Sequence, residues 1–424
     1  MSKKIFPVDT KTGCPLKWNW STIFFQSGTS SSCHRTEKLK IPEHNFDSFH
    51  NLPKKIDDRQ RMLEGLWPKN TCGYCSEVEK QNGYSDRMNQ LAQLTDSSAI
   101  PPELLKNPKA TAVTPTFVEV YFSNTCNMSC VYCGPHFSSK WEEEIKKYGI
   151  IKEMDQDVSL EYAVQKIQKN TLYDKQKQDF WNYLKTNERY KILRWFSFLG
   201  GEPLVIPELN ECLDFWNNNS NDKLTFQIVT NLKTTDIRFQ NFLNRIKQMI
   251  KERKVYKFKI IASIDCFGDE IEYVRYGLNQ KKWIESFEKI LLLDGVDVGI
   301  NCAISALTLK KFPILMDKIN EWNRFRSKNN RIILSFNLDE NLLTDPRIFG
   351  GNFFQDTLKE CNEKMFINTV RDISIKKHWQ SLSNSILHSK FDCKRVKDLK
   401  NYLTALDIRR NTDWKKVFPW LVDL

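Results

Sequence analysis

From residue 116 onward the chain repeats one pattern: a short apolar-rich strand, a loop and an amphipathic helix. Strands are expected at 116–122, 193–199, 224–230, 257–265, 296–304 and 331–337, with helical stretches at 207–218, 236–251, 281–293 and 309–326 between them. Strands that alternate with helices pair in parallel through right-handed crossovers, which restricts this part of the chain to an α/β fold. Six such units predict a partial (β/α)6 TIM-type barrel, whose functional loops lie beyond the C-terminal ends of the strands. The segment 137–190 reads as a long, mostly helical insertion, and 355–424 reads as helices.

At 424 residues the chain is too long for one average domain. Residues 1–95 are cysteine-containing and weakly periodic. The prolines at 101, 102 and 108 disfavour helix on both sides of a linker. The expected division is therefore 1–95, a small cysteine-rich module; 110–340, the barrel; and 341–424, a helical extension. No run of eighteen apolar residues occurs, and no hydrophobic signal core follows Met1-Ser2-Lys3-Lys4. A soluble, cytoplasmic protein with no membrane partner is expected. In that compartment twelve cysteines are better read as metal ligands or free thiols than as disulfides.

Cys126, Cys130 and Cys133 stand just beyond the first barrel strand at spacing C-x3-C-x2-C. Three thiolates can bind three irons of a [4Fe–4S] cluster, which usually takes four, and leave one iron open to a small molecule. A zinc knuckle is the competing use of such a run. The second strand ends in Gly200-Gly201-Glu202-Pro203 and the third in Thr230-Asn231-Leu232. The fourth ends in Ser263-Ile264-Asp265, where alternation puts Ser263 and Asp265 on one face. Tyr273-Val274-Arg275-Tyr276-Gly277 follows it.

Together these segments resemble the radical SAM enzymes. The resemblance implies an open iron chelated by the amino and carboxylate groups of S-adenosylmethionine, whose reductive cleavage releases a 5′-deoxyadenosyl radical. It places Tyr132 near the adenine, and Gly200, Gly201 and Glu202 on the methionine amino group. Asn231 falls where many relatives have Thr-Asn-Gly, with Leu232 replacing the glycine. Ser263 and Asp265 would face the ribose and methionine carboxylate, and Arg275 would meet that carboxylate unless it forms a surface ion pair.

Cys14, Cys33, Cys72 and Cys75 form a second set. Cys14 precedes a strand expected within 18–25, Gly28 and Cys33 are spaced Gly-x4-Cys, and Cys72 and Cys75 are spaced Cys-x2-Cys. This resembles the auxiliary-cluster twitch (short SPASM-like) module of radical SAM maturases, here before the barrel rather than after it. The resemblance implies a second [4Fe–4S] cluster, although four thiolates satisfy structural zinc equally. His34 is read as a surface neighbour. Cys266 is turned by alternation away from the barrel interior, so it is read as structural rather than as a hydrogen-atom donor.

Maturases with such modules act on peptides or proteins, so a polypeptide substrate is implied, with an external electron donor such as flavodoxin or ferredoxin. The net charge of +12 permits a nucleic-acid partner without requiring one. The lysine concentrations at 251–259 and 394–400 lack the interleaved aromatic and glycine residues of an RNA-stacking motif. An RNA- or nucleotide-modifying radical enzyme is the alternative, and a metal-binding nucleic-acid module the non-enzymatic one.

Overall fold

Nine strands lie side by side in one sheet. They are β1 (Trp20–Phe24), β2 (Thr29–Ser31), β3 (Leu39–Lys40), β4 (Phe117–Tyr121), β5 (Trp195–Leu199), β6 (Asn221–Thr230), β7 (Val255–Ser263), β8 (Val296–Ile304) and β9 (Ile333–Leu338). The order across the sheet is β3-β2-β1-β4-β5-β6-β7-β8-β9. The structure is a computed structural model and describes all residues except 1–4, 153, 155–169, 328–329, 340, 342 and 369–372.

From β1 to β9 every neighbouring pair is parallel; β2 and β3 add an antiparallel edge. The helices Glu208–Asn218, Asp236–Lys251, Gln280–Leu291 and Phe312–Asn323 fall between successive strands, as the alternation requires. The expected six units are present, and a seventh parallel strand joins them among the described residues. This is β1, from the cysteine-rich N-terminal region, which pairs with β4 from Trp20 opposite Phe117 to Phe24 opposite Tyr121. Pattern alone shows that a strand exists, not which sheet it enters. The stretch just before β1 is helical, Pro15–Asn19, with a proline whose fixed φ suits the first turn.

One face of the sheet is apolar: Val118, Phe196, Phe226, Phe258 and Val298 are at most 1% exposed. A parallel sheet covered by apolar layers on both faces reads as unbroken apolar runs. Here the alternate positions are Glu119, Ser197, Gln227, Lys259 and Asp297, which sit opposite one another from strand to strand. Glu119 and Lys259 of this row line a cavity of about 470 Å³ that also takes residues from β1 and β9. Strands from near both sides of the sheet thus border one space, so the sheet curves around it. The helices Asp86–Gln93 and Ile373–Leu387 contribute Asn89, Gln90, Gln93, Ile375 and His378 to the same wall.

The N-terminal region divides between two cores. Phe6, Val8, Leu16, Trp18, Met62, Ile100 and Leu104 form a small cluster of their own. Ile23, Phe25, Phe46 and Phe49 belong to the main core, where Phe25 stacks on Phe122 with ring centroids 4.6 Å apart. The expected insertion contributes the helices Ser139–Tyr148 and Tyr173–Lys185, and the part at 155–169 lies outside the described residues. The expected C-terminal helices are Gln355–Asn368, Ile373–Leu387, Cys393–Arg410 and Trp414–Val417. Among the described residues no helix is long and apolar enough to cross a membrane.

Because β1 and Phe25 join the N-terminal region to the main core, the two should unfold together. Phe25→Ala should lower stability by about 3–5 kcal/mol, the usual cost of emptying a fully buried Phe site. Denaturant unfolding followed by circular dichroism should show one transition shifted to lower denaturant. A separate early transition would show that the region folds independently.

Candidate functional site

The loop after β4 carries Cys126, Cys130 and Cys133, and distant parts of the chain hold it. Ser129 and Val131 donate their amides to the carbonyls of Tyr276 (3.1 Å) and Val274 (2.7 Å). Trp141 Nε1 donates to the Cys130 carbonyl at 2.7 Å, Ser138 Oγ to that of Met128 at 2.6 Å, and Tyr402 Oη to that of Val131 at 2.7 Å. The three cysteines are free thiols lining one cavity of about 510 Å³. Burial pushes the Cys126 thiol up to about 12 and raises Cys130 and Cys133 too; neighbouring triad sulfurs add to the rise at Cys126 and Cys133. Such thiols ionise readily only when a metal cation replaces the proton, which couples metal binding to deprotonation.

Gly200, Gly201 and Glu202 line the same cavity from the end of β5. The amides of Gly201 and Glu202 donate to the carbonyls of Ser123 (3.1 Å) and Thr125 (2.8 Å) in the cysteine loop. A Cβ on Gly201 would lie 2.1 Å from the Thr125 oxygen. The glycine is therefore required by the cysteine loop itself, a close approach of backbone to backbone. Glu202 is 1% exposed and accepts from Leu204 N (2.9 Å), the Thr230 hydroxyl and Asn231 N (2.6 Å). Burial still pushes its carboxyl up to about 7 against these hydrogen bonds.

Asn231 Nδ2 lies 3.9 Å from Cys126 Sγ and donates to Asn127 Oδ1 at 3.2 Å. Lys233 Nζ donates to the Asn127 carbonyl at 3.0 Å. Leu232 has φ 60°, the left-handed region in which glycine is at ease. The departure from Thr-Asn-Gly thus keeps the turn, at a cost of about 1–2 kcal/mol for a residue with a Cβ.

Ser263, Tyr132 and Arg275 also line the cavity, whereas Asp265 does not. β7 ends at Ser263, so strand alternation no longer governs Asp265. Asp265 is fully buried. Its Oδ1 accepts from Arg275 Nη2 (2.8 Å) and the Ala303 amide (2.8 Å), and its Oδ2 from Arg275 Nε (2.9 Å) and the Tyr132 hydroxyl (2.7 Å). Arg275 thus forms an ion pair, but a buried one with Asp265 beside the cavity rather than at the surface.

Cys14, Cys33, Cys72 and Cys75, spread over sixty residues, line one small cavity with Lys17, Arg35, Asp86 and Arg87. Cys72 and Cys75 lie at the start of the helix Gly73–Lys80. Burial pushes Cys72 up to about 11 and raises Cys14 and Cys75. At Cys33 burial is outweighed by the hydrogen bond and charge of His34, and the thiol is lowered. His34 is exposed, 3.4 Å from Asp86. Lys17, in the cavity wall, pairs with the buried Asp58 at 2.7 Å. The other cations in the cavity wall are paired too, Arg35 with Asp86 at 2.6 Å and Arg87 with Glu79 at 2.6 Å.

Among the described residues no three His, Cys, Asp or Glu side chains are grouped as for a metal ion. Ligands of a single ion must converge on one point, whereas cubane thiolates bind different irons and stand farther apart. Each donor set nevertheless lines a single cavity. Sequence reading missed Asn127, Lys233, Trp141 and Tyr402 around the triad, and Lys17 beside the second set. Tyr402 lies 271 residues from its partner, beyond any local pattern. Cys266 is fully buried and Cys302 Sγ lies 2.9 Å from the Ile264 carbonyl, so both are packed within the core. Compared with known proteins, the chain matches no family model and no curated protein.

Burial raises the folded carboxyl of Glu202 from 4.5 to about 7, so this group favours folding below its unfolded value and that contribution is lost as pH rises through about 7. Glu202→Gln should remove this part of the pH dependence. Urea unfolding of the metal-free proteins should show wild type losing stability relative to the variant between pH 4.5 and 7. Parallel pH profiles would contradict the assigned burial.

Proposed function

We propose that this chain is a radical SAM enzyme with a second cluster in its N-terminal module and a curved sheet of the partial (β/α)6 type. The observation that carries the reading is one cavity shared by three cysteines of a single loop and by Gly200, Gly201, Glu202, Asn231, Ser263 and Arg275 from successive strand ends. Cys126, Cys130 and Cys133 would hold a [4Fe–4S] cluster. When bound and reduced, such a cluster supplies the electron that cleaves S-adenosylmethionine to a 5′-deoxyadenosyl radical.

The chain's own residues do the positioning. Glu202 offers a carboxylate to an ammonium group, fixed in place by the three donors that already bind it. Ser263 supplies a hydroxyl and Arg275 a buried cation whose orientation Asp265 fixes. Tyr132, held by the same carboxylate, presents an aromatic face beside the third cysteine. The substrate we favour is a polypeptide, with an external electron donor such as flavodoxin or ferredoxin. The +12 charge supports a second reading, an RNA- or nucleotide-modifying enzyme of the same class. RNA gripped through its phosphates would bind with a log–log salt slope of about −0.7 per contact.

Anaerobically reconstituted protein should form 5′-deoxyadenosine on reduction with S-adenosylmethionine, and the Cys126, Cys130 and Cys133→Ala triple variant should form none. An undiminished rate in that variant would refute the assignment. Iron analysis should give roughly eight irons per wild-type chain and about half in the variant, at four per cubane. Four irons with stoichiometric zinc would assign zinc to Cys14, Cys33, Cys72 and Cys75.

A further inference from the structure

We infer that the cavity on the curved face of the sheet is a carboxylate-binding site in which Lys259 is the counter-charge. Its position is the first argument. Tyr121 lines both this cavity and that of the cysteine triad, and Cys33 lines both it and that of the four-cysteine set. The site therefore lies between the two cysteine centres, and assigning its ligand to the substrate rests on the function proposed above.

Its charge is the second argument. Three carboxyl groups stand nearby, and each has other partners or is largely uncharged. Asp86 is bound by Arg35 at 2.6 Å and faces His34 at 3.4 Å. Glu119 accepts from the Thr22 hydroxyl at 3.0 Å, and burial pushes it up to about 7, so it is in good part neutral. Asp297, opposite Lys259 on the next strand, is bound by Lys257 at 3.1 Å. Lys259 itself has no ion pair within 4.0 Å among the described residues, and its Nζ lies 5.0 Å over the Trp195 ring. The charge of Asp297 and the Trp195 face compensate this half-buried ammonium only in part, and a ligand carboxylate supplies the charge-assisted hydrogen bond it lacks. Gln90, Gln93 and Asn337 add neutral donors and acceptors suited to the amides flanking such a group.

A polypeptide offers a carboxylate as an acidic side chain or as its C-terminus, and three small probes separate these. N-acetylglutamic acid α-amide carries only the side-chain group, N-acetylalanine only the terminal one, and N-acetylglutamine amide neither. Saturation-transfer NMR and calorimetry on the reconstituted, unreduced protein, without S-adenosylmethionine, should show binding of at least one carboxylate probe and none of the neutral one. Lys259→Met should weaken that binding about tenfold or more, and Lys259→Arg should retain it. Equal binding of all three probes, no binding of either carboxylate probe, or carboxylate binding unchanged in Lys259→Met would overturn the site. If Lys259→Met does not fold, loss of binding in wild type under added chloride, against retention of the same fold, provides the decisive readout. Persistence would overturn the site. The triad triple variant should bind the probes as wild type does, so failure of the carboxylate site and failure of the radical assignment appear in different measurements.

Discussion

Asp265 is the group on which the arrangement around the triad depends. Its carboxylate accepts four hydrogen bonds, two from Arg275, one from the Tyr132 hydroxyl and one from the Ala303 amide. Those donors belong to the segment after β7, the cysteine loop and β8. A buried carboxylate with this many donors is satisfied, whereas a buried Arg275 without it would be an uncompensated charge, typically costing about 3–5 kcal/mol. One interaction thus fixes the ring beside Cys133, a cation in the cavity wall and the approach of the loop to the sheet.

The two cysteine sets are built from different parts of the chain with similar physics. In each, burial raises most of the thiols and favours their neutral form; Cys33, lowered by His34, is the exception. Each cavity has a carboxylate-paired cation in its wall, Arg275 with Asp265 at the triad and Lys17 with Asp58 at the second set. The triad lies in a single loop, held by backbone bonds to Val274 and Tyr276 and by the side chains of Ser138, Trp141 and Tyr402. The four-cysteine set needs a hairpin, a helix start and the chain before β1 to meet, and β1 links that assembly into the common sheet.

Much of this was legible in the sequence because it rests on local periodicity. The strands and crossover helices appear within three residues of their expected limits, since β-branched and aromatic alternation marks the strands and amphipathic spacing the helices. The grouping of Cys14 with Cys33, Cys72 and Cys75, expected from their resemblance to an auxiliary-cluster module, is seen as one shared cavity. What the sequence concealed is long-range. That β1 enters the main sheet depends on pairing with β4, almost a hundred residues later. Asp265 stands behind the cavity wall, bonded to Tyr132 and Arg275, because the strand ends two residues before it, and Gly201 faces a neighbouring backbone. The polar row from Glu119 to Asp297 is visible only once register is known.

The central claim is that one iron of a three-cysteine cluster is left open and binds S-adenosylmethionine beside Glu202. Electron–nuclear double resonance on the reduced protein, using S-adenosylmethionine labelled with ¹⁵N in the methionine amino group, tests it most directly. The measurement is cleanest in a variant lacking Cys14, Cys33, Cys72 and Cys75, so that a single cluster gives the signal. The account predicts a resolved ¹⁵N coupling that disappears when Cys126, Cys130 and Cys133 are replaced. A cluster signal that neither shifts nor acquires nitrogen coupling on adding the labelled compound would contradict it.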